Sequence, residues 1–160
     1  MQTVTLLCVG KLKEKFYLDA AAEYRKRLGA FCRLTLRELP EERLPERASP
    51  AQVKAALEKE GEAALRLVPA GETLVALCIE GTMLTSETLS AYLGKLATDG
   101  ESRVSFVIGG SMGLSDAVKD RADLQLSLSR MTFPHHLARI LLLEQIYRAY
   151  QIQNNTKYHK

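Results

Sequence analysis

Two stretches decide the fold: FVIGGSMGLS (Phe106–Ser115) and LSLSRMTFPHH (Leu126–His136). Each begins in an apolar, strand-like run and leads into a helix-like run. A strand that ends in a glycine-rich turn before a helix brings bare backbone N–H and C=O groups close to a ligand. Two strand-to-helix turns in succession, the first of them glycine-rich, predict a small-molecule pocket at the carboxyl ends of adjacent strands.

Working outward, strand and helix patterns alternate along the whole chain. Thr3 to Val9 predicts a first strand closed by Gly10, and an amphipathic helix follows over about Phe16 to Leu28. Leu34 to Leu39 alternates as a half-buried or edge strand does. The polar stretch with Pro40, Pro45 and Pro50 is the longest loop. Ser49-Pro50-Ala51-Gln52 then reads as a capping box opening a helix to about Leu67. Thr73 to Ile79 is nearly all apolar, hence a central strand, and Gly81 is expected to end it. Thr85 or Ser86 caps the next helix, to about Ala97. Val104 to Ile108 and Leu124 to Leu128 are the last strands, with a short helix capped by Ser115 between them. Pro134 opens a final helix over about His135 to Gln151. The pattern predicts a single α/β domain over residues 1–160, with a mostly parallel sheet of about five strands.

Composition narrows the function classes. At 160 residues the chain suits one domain. No apolar run approaches a membrane span, and Met1 to Gly10 is too short and too regularly alternating for a secretory signal, so a cytoplasmic protein is expected. Cys8, Cys32 and Cys78 are odd in number, widely spaced and in strand-like runs, which predicts reduced, buried thiols. No metal is expected: His135 and His136 are adjacent and point to different sides of a helix. The net charge of +3 is uneven. From Lys119 onward seven Lys or Arg stand against three acids, and all three histidines lie there too. Positive potential beside the two loops suits a phosphate-bearing partner, although a solvated basic face has the same composition.

Several constellations carry candidate chemistry. Gly109-Gly110-Ser111-Met112-Gly113 matches the G-x-S-x-G elbow of serine hydrolases, with Asp116 or Asp123 and His135 or His136 following in the hydrolase order. Against it, the chain is short for that fold and lacks an upstream loop for the second oxyanion donor. A dinucleotide fingerprint is absent, since the first strand ends in a single glycine. In the second loop Leu128, Met131 and Phe133 would form a dry slot with backbone hydrogen-bonding groups, suited to a flat heterocycle such as adenine, or would simply be core. Leu77, Gly109 and Leu128 end three strands and share one crevice if those strands are neighbours. Tyr158-His159-Lys160 is either an idle tail or a group able to stack on a base, move a proton and hold a phosphate. The final helix is apolar on nearly every side (Leu137, Ile140, Leu141, Leu142, Leu143, Ile146). That requires either a central core position or an oligomer interface, and a homodimer is the expectation.

Taken together, VGKLKEK with Phe16-Tyr17, EYRKRL, the central KEGE, FVIGGSMGL, LSLSRMTFPHHLARILLLEQIYRAY and the terminal KYHK resemble one family over essentially the whole chain. This is the RlmH group, the large-subunit ribosomal RNA methyltransferases H, small members of the SPOUT class. The resemblance implies a C-terminal trefoil knot, which chain-topology rules alone would have excluded as rare. It implies S-adenosylmethionine as cofactor, an obligate homodimer, and methylation of N3 of a pseudouridine in helix 69 of 23S rRNA within the assembled 70S ribosome. It places Leu77, Gly109 and Leu128, Ser129, Arg130, Met131, Thr132 and Phe133 at the cofactor, with Gly110 and Gly113 permitting close backbone approach. Tyr158 and His159 match the terminal pair that completes the active site from the partner subunit, His159 being the first candidate for removing or orienting a proton. Arg139, Arg148 and Lys160 are expected to hold RNA, with a place at the dimer interface the alternative for the two arginines.

Overall fold

The computed structural model describes residues 1–159; Lys160, an expected RNA contact, lies outside them. The elements are β1 (Gln2–Val9), α1 (Lys15–Leu28), β2 (Cys32–Leu39), α2 (Pro50–Leu65), β3 (Thr73–Met83), α3 (Ser86–Thr98), β4 (Arg103–Ile108), α4 (Asp116–Arg121), β5 (Leu124–Ser127) and α5 (His135–Gln153). The five strands form one parallel sheet in the order β2-β1-β4-β3-β5.

The two-residue period of the strands sorts side chains onto two apolar layers. Val4, Leu6 and Cys8, with Val104, Phe106 and Ile108, face a layer made by α1, α3 and α5. Leu7, Leu74, Ala76 and Val107 face the opposite layer with Ala64 of α2 and Val118 of α4. β2, at an edge, shows the expected alternation, whereas β1 and β4 are nearly continuous buried runs.

The capping box at α2 forms as the sequence requires: Ser49 Oγ accepts from the Gln52 N–H at 3.1 Å, and Gln52 Oε1 accepts from the Ser49 N–H at 2.8 Å. Such a cap stabilises a helix by about 1 kcal/mol. Farther along, Gly61 lies directly against the Ser115 hydroxyl, and any β-carbon there would collide with it. The KEGE stretch therefore lets α2 close on the N-cap of α4, which fixes one end of the Gly109–Ser115 loop.

Two strand ends differ from the sequence expectation. β3 does not stop at Gly81 but runs on to Met83, with a register shift between Leu77 and Thr82. Gly81 is small because the Gln125 carbonyl of β5 lies 2.6 Å from where its β-carbon would stand. β5 ends at Ser127, which frees Leu128 for the following loop.

The chain then leaves the sheet edge and returns to its centre, where α5 packs on β4 between α1 and α3. Every residue from His135 to Ile152 is buried or half-buried within the single chain. Leu142, Leu143, Ile146 and Ala149 are wholly enclosed, and the Tyr150 hydroxyl donates to Gln2 Oε1 at 2.7 Å. Of the two explanations for the apolar run, the central position accounts for it within the single chain.

Candidate functional site

The carboxyl ends of β3, β4 and β5 open on a cleft of about 760 Å³, within the range of small-molecule sites. Its walls bring together Leu77, Gly109, Gly110, Gly113, Leu128, Ser129, Met131, Thr132 and Phe133, together with Pro134, His135 and Ala138. Parallel pairing in the order β4-β3-β5 creates this: the three loops emerge side by side. Apolar Leu77, Leu128 and Phe133 set beside the glycine-bearing backbone of residues 109–113 and the glycine-free loop of residues 128–133 give a largely apolar slot.

Each loop is held by its own bonds. Gly113 takes a φ of +87°, and its N–H donates to the Gly110 carbonyl at 3.1 Å. The Cβ position of Gly109 is filled by the Gly113 carbonyl, so the bareness of Gly109 serves the closing of the turn itself. In the second loop Ser127 Oγ donates to the Ser129 carbonyl at 3.1 Å, and the Met131 N–H donates to Ser129 Oγ at 3.0 Å. Arg130 is the exception among the expected cofactor contacts. Its side chain turns away from the cleft and donates to the carbonyls of Ile79 and Gly81, at 3.0 and 3.5 Å, tying the loop beneath the extension of β3.

Ser111 is no elbow nucleophile. It is exposed; its hydroxyl donates to Glu41 Oε1 at 3.2 Å, its N–H points to the same oxygen at 3.3 Å, and no histidine bonds to it. Asp123 is spent on the Leu74 N–H at 2.8 Å. Glu41 is a functional candidate that the sequence reading missed. It comes from the proline-punctuated loop after β2, which carried no periodic signal, and it braces the Gly109–Gly113 turn.

Glu41 also borders an unusual junction at Gly10, whose φ is +100°. The Cβ position of Gly10 lies 3.4 Å from Glu41 Oε2, 3.4 Å from His135 Nε2 and 3.7 Å from His136 Nε2. Both ring nitrogens are buried without a hydrogen-bond partner among the described residues. Burial, and then the neighbouring His136, hold His135 below the ordinary histidine range. Beneath them Arg139 is 3 % exposed; it donates to Glu38 Oε2 at 2.8 Å and to the Gly10 carbonyl at 3.1 Å. That corrects the expectation for Arg139: a guanidinium enclosed and bound in this way braces the β1 and β2 ends, out of reach of an RNA phosphate.

Cys8 and Cys32 are buried, and burial pushes both thiols up to about 11. Cys78 departs from expectation: it is half-buried and lines the cleft, and burial raises its pKa as well, so it too stays a thiol. Among the described residues no group of three His, Cys, Asp or Glu side chains could hold a metal ion.

The C-terminal tail lies elsewhere. None of its described residues lines the cleft; they fold back on α5 and the start of α3. The Tyr158 hydroxyl donates to Glu144 Oε1 at 3.0 Å, and its ring packs edge-on against Tyr147 and under the Arg148 guanidinium, 4.8 Å from the centroid. Arg148 also grips Glu144, with its shortest bond at 2.8 Å. His159 is held at both nitrogens: Nδ1 lies 3.1 Å from Arg148 Nη1, and Nε2 lies 2.6 Å from Glu87 Oε1. A guanidinium only donates, so Nδ1 accepts, and the ring proton sits on Nε2 and goes to Glu87. In this arrangement His159 has no free lone pair. Arg148, expected at RNA or at a dimer interface, organises the tail.

Residues 1–159 match the family model described as "Predicted SPOUT methyltransferase". The chain belongs to the SPOUT methyltransferase family. Its similar relatives are proteins named "Ribosomal RNA large subunit methyltransferase H". Those of Clostridium acetobutylicum, Bacillus pumilus and Listeria monocytogenes serotype 4a are 48 %, 50 % and 47 % identical over 157 residues, covering 98 % of this chain and 99 % of each relative. Among solved structures, a probable methylase family protein from Haemophilus influenzae Rd KW20 aligns with a TM-score of 0.52 at 12 % identity, covering 98 % of this chain and 70 % of that one. At that identity the likeness bears on the fold alone. The trefoil knot of the class is implied by family membership.

Proposed function

We propose that this chain methylates large-subunit ribosomal RNA with S-adenosylmethionine, at N3 of a pseudouridine in helix 69 of 23S rRNA on the assembled 70S ribosome in the cytoplasm. The observation that carries the reading is the cleft: an apolar slot walled by two backbone-rich loops at adjacent strand ends, in a chain of methyltransferase family whose relatives are named for large-subunit rRNA.

The residues present fit the cofactor. Leu77, Leu128 and Phe133 suit the faces of an adenine ring, the exposed backbone of residues 109–113 and 128–133 suits its edge and ribose, and Met131 and Met112 stand in solvent at the mouth. When bound, S-adenosylmethionine supplies an electrophilic methyl on a sulfonium. The protein's part is alignment and exclusion of water. The accepting nitrogen gives up its proton and gains the methyl, so a group that takes or directs that proton assists.

Tyr158 and His159 remain the proposed catalytic pair, with one revision. Because both nitrogens of His159 are engaged, it serves as an oriented N–H group, and it accepts a proton only after Arg148 releases Nδ1. Since the tail lies outside its own cleft, a homodimer in which each tail serves the partner's cleft is the arrangement we propose. The half-buried outer side of α5 is then available for contact with the second copy.

Calorimetry with S-adenosylhomocysteine tests the cleft: binding in a 1:1 ratio to each protomer is expected, and no heat at all would sink the reading. Mass spectrometry of rRNA from a strain lacking the gene then reads the target, as loss of one methyl on a helix 69 pseudouridine.

A further inference from the structure

The loop after β1 carries charge that the cleft does not use. It reads KLKEKF, Lys11 to Phe16, and leaves the carboxyl edge of the sheet beside the cleft loops. Leu12 is its anchor: the residue is 5 % exposed, its side chain joins the α1/α3/α5 core layer, and its N–H donates to Glu38 Oε2 at 2.9 Å. With Leu12 pinned inward, Lys11 and Lys13 on either side are exposed, and neither pairs with a carboxylate among the described residues. Of the neighbouring acids, Glu14 faces His136 Nδ1 at 3.8 Å, Asp19 is taken by Lys15 at 2.6 Å, and Glu38, which feels the charge of Lys11, is bonded to Arg139 at 2.8 Å.

Beside these cations stands Phe16, 66 % exposed in the first turn of α1. Its ring leans on Tyr17 at 4.4 Å between centroids, and Tyr17 meets His136 edge-on at 6.1 Å. His136 adjoins His135 in the cleft wall, so the patch is continuous with the rim of the proposed methyl-donor site. Isolated exposed apolar residues are ordinary; an aromatic ring supported by a second ring and flanked by unpaired ammonium groups is a more specific arrangement. Unpaired RNA is recognised by that combination, with bases stacked on aromatic faces and phosphates met by lysine.

We propose that Lys11, Lys13 and Phe16 form a docking surface for unpaired nucleotides next to the methylated base, with Phe16 as the stacking platform and the two lysines on backbone phosphates. The proposal rests on reading the chain as an RNA methyltransferase.

The test uses the full-length protein and 70S ribosomes from a strain lacking the gene, with binding measured separately from methyl transfer. Phe16→Ala is expected to weaken RNA binding about tenfold. Lys11→Ala with Lys13→Ala should reduce the slope of log affinity against log salt by about 1.5. Affinity for S-adenosylhomocysteine and the oligomeric mass should stay as in the unaltered protein. RNA affinity and salt slope unchanged in both variants would overturn the surface. A change of oligomeric mass in Phe16→Ala, with RNA binding intact, would overturn it in favour of a contact between copies. RNA binding that responds as expected, with no methyl transfer by the unaltered protein, would support the surface and defeat the functional reading instead.

Discussion

The two regions that carry the proposed chemistry are built on opposite plans. The cleft loops are backbone devices: Gly109, Gly110 and Gly113 in one, and the Ser127–Met131 hydrogen bonds in the other, set main-chain groups on a rigid sheet edge. The tail is a side-chain device, in which Glu144, Arg148, Tyr158, His159 and Glu87 are linked by charged and polar contacts on two helices. A backbone device tolerates no added volume and holds one shape. A side-chain device is only as fixed as its weakest bond, and the His159–Glu87 bond is largely open to water. The proposal thus puts binding on the backbone-built part and proton handling on the part built from side chains.

Substitutions that strike only one plan separate the two. The largest effect is expected at Gly109→Val, which drives a side chain into the Gly113 carbonyl and so breaks the turn. Calorimetry should show loss of S-adenosylhomocysteine binding by more than a hundredfold, and near-normal binding would show that the loop does not form the site. Next, removal of Tyr158 to Lys160 should leave that binding within about twofold and reduce methyl transfer by at least a hundredfold. Mixing the truncated chain with Gly109→Val should restore transfer in the mixed dimers. No recovery, where mixed dimers are demonstrated by mass, would place both halves of the site in one protomer.

Arg148→Ala should act more mildly, lowering turnover about tenfold with the cofactor affinity kept, because Tyr158 and His159 lose their shared partner. Arg148→Lys restores charge but not the fork that bonds Glu144 and His159 together, so it should rescue little. The smallest effect concerns stability. Burial holds the folded-state pKa of His135 below the ordinary histidine value of 6.5. Below that value the unfolded chain binds a proton that the folded chain does not, so its contribution to stability is present above 6.5 and is lost as pH falls toward the folded-state value. Urea titrations of the unaltered protein should show midpoints falling over that window, and His135→Gln should flatten the trend without touching the tail.

Much of this contrast was legible in the residues. Glycine spacing after an apolar run fixes a strand, a turn and a helix start by steric rules that need no partner, so the Phe106–Ser115 and Ser49–Gln52 readings follow from local geometry. The apolar face of α5 was equally plain, but apolarity alone does not distinguish a core groove from an interface. Other points had no local signal. Glu41 sits in an aperiodic loop and matters only because β2 ends beside β4's loop across β1. Arg139 looked like any surface cation until the sheet enclosed it against Glu38 and the Gly10 carbonyl.

The sequence by itself determined the alternation of strands and helices, the parallel sheet, the glycine-bearing loop and its glycine-free neighbour, and the chemical character of the cleft wall. These depend on hydrophobic period and backbone freedom, which are properties of neighbouring residues. Only the tertiary structure decided that Gly81 continues a strand, that the Arg130 guanidinium is taken by the Ile79 and Gly81 carbonyls, and that Tyr158 and His159 rest on α5 outside the cleft. Those outcomes depend on which distant segments meet, and burial, charge pairing and hydrogen-bond partners are defined only once the chain has closed on itself.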